Sequence, residues 1–190
     1  MWLFRHFFKP GQLFKYQPVS AEEFWKQAYP TEEPEPTYED LEPQFVGYAD
    51  LINQLVKWFG SIDLGKVFVG DEFKIAYTLW DYETALERYL VWNAKLGKHQ
   101  KIWELEYDYP DVDCEDFAWY AKDAVSQPYL LTTPAFGLIW LIHPTLNLAH
   151  AMNFALASTK EGVKPYLYEP QLNSWYSSTE VKWRFWMLYM

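Results

Sequence analysis

The stretch "LNLAHAMNFALASTKEGVKPYLYEPQ", residues 146 to 171, limits the possible folds more than any other. Its first half alternates without a break, so Leu146, Leu148, His150, Met152, Phe154 and Leu156 share one face of a strand. Small or polar residues occupy the other face. "STKEG" supplies a turn, and Val163, Pro165, Leu167 and Glu169 then share a face of a second strand. Facing residues of an antiparallel hairpin have a constant number sum. A turn centred on Thr159 and Lys160 makes that sum about 319 or 320. His150 is therefore expected opposite or next to Glu169, on the same apolar-lined side. A buried carboxylate without a partner is costly, so the two polar residues explain one another.

A second stretch, "DCEDFAWYAKDA" from residue 113 to 124, holds the only cysteine of the 190-residue chain. Asp113 and Asp116 have the spacing of a capping box, and Phe117, Ala118, Ala121 and Val125 give the apolar face of a helix. Cys114 then falls in the first helical turn. Unpaired backbone N–H groups and the helix dipole favour an anion there, and hence a thiolate.

Elsewhere, apolar residues recur at helical period at Tyr48, Leu51, Ile52, Leu55, Val56 and Phe59, with Gly60 as a stop. Another helix is expected from Asp81 as N-cap through Leu86, Tyr89, Leu90 and Leu96, ending at Gly97. Between them "KVFVGDEFKIAYTLW" reads as short extended pieces. Residues 1–45, with the Pro- and acid-rich "YPTEEPEPTYEDLEP", read as an extended arm, and residues 46–190 as one domain.

The net charge of −10 is concentrated in two segments. Residues 22–42 and 104–123 each carry eight acids and one base, and the remainder is net basic. No basic stripe tracks phosphates, which argues against nucleic acid as a partner. "MWLFRHFF" is too short and interrupted to span a membrane and lacks a signal-peptide pattern. A single cysteine forms no internal disulfide, which fits a cytoplasmic or virion-associated location. The 11 Trp, 15 Tyr and 13 Phe suit a ring-rich core or a surface for protein assembly, with the arm as the candidate contact. No Cys/His metal spacing, phosphate loop or GxSxG elbow is present. His6, His99 and His143 carry no comparable signal.

Taken in order, "DCEDFA", "HAMNF" and "YEPQ" resemble a branch of the papain-like cysteine hydrolases. Within it the pattern is nearest to the C-terminal protease domain of Marasmius oreades agglutinin and its small bacterial and phage relatives. Bacterial transglutaminase-like cysteine proteinases come next. The resemblance covers residues 103–176. It implies an α+β, papain-like fold with the nucleophile helix packed on an antiparallel sheet. It also implies Cys114 as nucleophile, His150 as base and Glu169 as the group that orients the imidazole. Glu104, Glu106 and Asp108 stand where many such enzymes carry an oxyanion-binding glutamine. The Cys114 backbone N–H, with Gln171 or an indole N–H, is the expected replacement. No cofactor is required by the sequence. Calcium is the candidate, because the fungal relative depends on it and Asp113, Glu115 and Asp116 offer hard oxygen ligands. The implied activity is hydrolysis of peptide or isopeptide amides. The alternatives are a peptidoglycan amidase or endopeptidase, and a non-catalytic virion or assembly component that keeps the fold.

Overall fold

The computed structural model describes residues 41–108, 112–127, 131–143, 148–177 and 183–190. The arm expected over residues 1–45 thus lies almost wholly outside the described residues. The described residues fold as α+β, with three α-helices and a mixed, largely antiparallel six-stranded sheet.

Strand β1 (Gln44–Gly47) leads directly into α1 (Tyr48–Phe59), and Gly60 closes that helix at φ 78°. The bounds match the periodic apolar pattern. The short strands β2 (Val67–Phe68) and β3 (Phe73–Ala76) then precede α2 (Leu79–Arg88). This helix departs from expectation at both ends. Its N-cap is Thr78, whose hydroxyl accepts the Asp81 N–H at 3.2 Å, so Asp81 is the third helical residue of a capping box. The helix stops at Arg88 instead of running to Leu96. Beyond it lie β4 (Val91–Asn93) and β5 (Lys98–Gln100), which pair as a hairpin. The Asn93 side chain accepts the N–H groups of Lys95 and Leu96, and Gly97 adopts φ 63°. Asparagine's competition for backbone donors turns the chain there, and the Gly97 read as a helix stop serves the hairpin turn instead.

Helix α3 (Cys114–Val125) is followed by β6 (Phe136–Ile142), β7 (Ala149–Thr159), β8 (Gly162–Glu169), β9 (Ser174–Ser177) and β10 (Arg184–Tyr189). The sheet order is β2-β10-β6-β7-β8-β9. Its strands are antiparallel except for β2, which pairs parallel to β10. Both faces are covered. On one face, Leu51 and Leu55 of α1 pack with Met152, Phe154, Leu156 and Leu167. Full burial of each such side chain contributes about 1.5–3 kcal/mol. On the other, Tyr82 and Leu86 of α2 and Phe117 and Ala121 of α3 pack against Phe136, Ala155, Ala157 and Tyr168. The small residues alternating along β7 are what permit α3 to approach so closely. Asn153, fully buried, secures that approach by donating to the Ala118 carbonyl of α3 at 2.9 Å.

Gly137 marks another close approach. A Cβ built there would collide with the Tyr189 carbonyl oxygen and lie 2.9 Å from Met190 Cα, both backbone atoms. Gly137→Ala is therefore expected to push the end of β10 outward and cost about 1–3 kcal/mol, measured by urea denaturation. No described helix is long and apolar enough to cross a membrane.

Candidate active site

The β7–β8 hairpin forms with a turn at Lys160 and Glu161, one residue later than the sequence suggests. Thr159 faces Gly162, and Asn153 faces Tyr168. Gly162 takes φ 99°, and the Thr159 hydroxyl donates to the Gly162 carbonyl at 2.7 Å. Continued outward, this register puts His150 diagonal to Glu169 on the same face, and not opposite it. Long side chains bridge that diagonal readily. His150 Nε2 and Glu169 Oε2 are 2.7 Å apart. Glu169 has no exposed surface and His150 is 8% exposed. The other carboxylate oxygen, Oε1, accepts the backbone N–H of Gln171 at 3.0 Å. Gln171 thus holds the carboxylate through its main chain.

Cys114 is the first residue of α3, as its capping pattern predicts. The Asp113 carboxylate accepts the Glu115 N–H at 3.0 Å, and Asp116 accepts the Asp113 N–H at 3.1 Å. The thiol is half-buried and packs with Ala118, Leu138, Trp140 and Ala151. These belong to the α3 face of the sheet, whereas His150 and Glu169 continue the α1 face. The helix N-terminus and the start of β7 therefore meet at the end of the sheet, where Cys114 hydrogen-bonds the His150 side chain. With Nε2 engaged by Glu169, Nδ1 is the ring nitrogen left for the thiol.

The electrostatics follow from this packing. Burial by itself lowers the His150 pKa. The Glu169 carboxylate and the hydrogen bonds to Cys114 and Glu169 outweigh it and raise the value to about 10. Asp113 is shifted upward by burial and by Asp116, against the pull of its backbone hydrogen bonds and of nearby His150.

Two neighbours had no sequence signal. Trp183, 5% exposed, sits with its ring 6.1 Å from that of His150 and 5.1 Å from that of His143. It covers the imidazole with an apolar surface. His143, whose pKa partial burial lowers, stacks edge-on against that indole, and its N–H donates to the Leu148 carbonyl at 2.8 Å. Both positions are brought to His150 only by strand pairing.

Calcium fits the acids poorly. Asp113 and Asp116 already spend carboxylate oxygens on the helix cap, and Asp108 pairs with Lys95. Among the described residues, no three His, Cys, Asp or Glu side chains converge to hold a metal.

No protein-family model matches this chain, and no curated protein does. Among solved structures, it is similar to a PSL1a–E64 complex, with 15% identity and a TM-score of 0.58. The match covers 77% of this chain and 51% of that one, so the chain spans about half the length of its structural neighbour. What the two share is the fold.

Proposed function

We propose that this chain is a papain-like thiol hydrolase that cleaves peptide or isopeptide amides with Cys114, His150 and Glu169. The observation that carries this reading is the buried His150–Glu169 pair in hydrogen-bond contact with the single cysteine at a helix N-terminus. A buried ion pair is expensive, and a packed apolar pair of similar size is often as stable, so structure alone gives little reason for it. The similarity to the PSL1a–E64 complex supports the fold that this reading expects.

His150 takes the proton of Cys114, and the thiolate so formed is the nucleophile. The thiolate attacks the substrate carbonyl, and the developing oxyanion takes the Cys114 backbone N–H at the positive end of α3. The second hydrogen bond comes from the Gln171 side chain, in the turn that follows Glu169 at the end of β8. His150 then donates its proton to the leaving amine, which departs as the C–N bond breaks and leaves a thioester. Water deprotonated by His150 hydrolyses the thioester and restores the enzyme. Glu169 fixes the ring orientation throughout and stabilises its charge.

Incubation with E64 followed by intact-mass analysis tests the reading. One molecule of E64 is expected on wild type and none on Cys114→Ser, with a chelator making no difference. Labelling that persists without Cys114, or a Cys114 no more reactive than a free thiol, would sink it. Loss of labelling with chelator would restore calcium to the site.

A further inference from the structure

Strand β10 carries an irregularity beside the thiol. Phe185 faces Leu141 and Met187 faces Trp140, so Trp186 is an extra residue, a β-bulge, between two adjacent positions of β6. Without it, Trp186 and Met187 would point to opposite faces of the sheet. With it, both join the cluster of Cys114, Leu138, Trp140 and Ala151, while Phe185 and Leu188 stay with the core on the other face. Bulges of this kind re-aim side chains, and they recur next to active sites. Trp186 and Met187 are only partly buried. Part of each side chain therefore reaches solvent, and both pack on the same buried cluster as Cys114.

We propose that Trp186 and Met187 form an apolar subsite for the side chain of the residue whose carbonyl Cys114 attacks. The substrate class is then an amide with a large aromatic or aliphatic residue on the acyl side of the scissile bond. This rests on the thiol-hydrolase reading above and narrows its substrate. The geometry favours the acyl side because both residues pack in one cluster with the nucleophile itself. The first side chain a bound carbonyl brings into that cluster is its own. A polar or charged side chain there would lose water without gaining a partner.

Peptidyl chloromethyl ketones that differ only at this residue read the preference directly. The thiolate displaces chloride, forming a C–S bond as the C–Cl bond breaks, so no natural substrate is needed. Phe and Leu probes are expected to inactivate wild type at least about tenfold faster than Gly or Lys probes. Trp186→Ala should bring that ratio close to one, and Trp186→Phe should retain most of it. Each ratio is taken within one variant, so any change in the reactivity of Cys114 itself cancels from it. Met187→Ala, a smaller change, should lower the ratio by a lesser factor. A flat probe series in wild type, or an unchanged ratio in Trp186→Ala, would overturn the subsite and leave the hydrolase reading standing. Failure of the hydrolase reading would show separately, as iodoacetamide modifying Cys114 no faster than a free thiol.

Discussion

His150→Ala is expected to slow alkylation of Cys114 by iodoacetamide at pH 7 by about 100-fold, within the range that a positioned acid or base contributes. The thiol sits among acids, with Asp113 and Glu115 on either side and Asp116 next in the helix. Without the imidazolium, only the helix dipole opposes them, and that effect is modest at about 0.3–1 kcal/mol. Glu169→Gln should fall between wild type and His150→Ala, because the amide keeps the ring in place but removes the charge that holds its proton. Rates are measured by mass spectrometry under pseudo-first-order conditions. Equal rates in all three proteins would show that the pair does nothing for the thiol.

The second large effect is on stability, and the two partners are not equivalent. In His150→Ala, the fully buried Glu169 carboxylate keeps, among the described residues, only the Gln171 N–H, with no counterion among them. Removal of one partner of a buried pair in this way costs about 3–5 kcal/mol. In Glu169→Ala, the imidazole can shed its proton and remain neutral, so the loss should be smaller. The double variant His150→Ala/Glu169→Gln should recover part of the single loss, which identifies the stranded charge as the cause.

The pH dependence has a definite sign. His150 titrates at an ordinary 6.5 when unfolded and at about 10 when folded, so its stabilisation is complete below pH 6.5. It is lost as pH rises through 10. Urea denaturation at pH 6.5 and pH 10 should show a larger decline for wild type than for the double variant. A parallel decline would mean that the pair does not titrate as a coupled unit.

Helices were legible in the sequence where one period ran between clear stops, as from Tyr48 to Gly60. The second helix shows the limit. Leu86, Tyr89, Leu90 and Leu96 fit a helical pattern, yet Asn93 and Gly97 provide turn chemistry that the pattern ignores. Two strands of three residues each satisfy the same apolar side chains, and Val91 is buried in that arrangement. The strict alternation of β7 raised the opposite difficulty. Its pattern reads as one buried face and one small or polar face, whereas α3 covers the second. A stripe of alanines reads as weakly polar filler in sequence but packs as a contact surface once a helix is laid on it.

What the sequence determined by itself was local: the N-terminus of α3 at Cys114, and a hairpin with His150 and Glu169 on one face. Both follow from backbone geometry, since capping fixes where a helix starts and a period of two fixes which side chains share a face. The exact register depended on which residues turn, and Gly162 at positive φ moved it by one position. The meeting of Cys114 with His150, the cover from Trp183 and the bulge at Trp186 were decided by the tertiary structure alone. Each depends on how β6, β7 and β10 pair and how α3 lies across them. Such contacts join residues far apart in the chain, whose relative placement no local periodicity encodes.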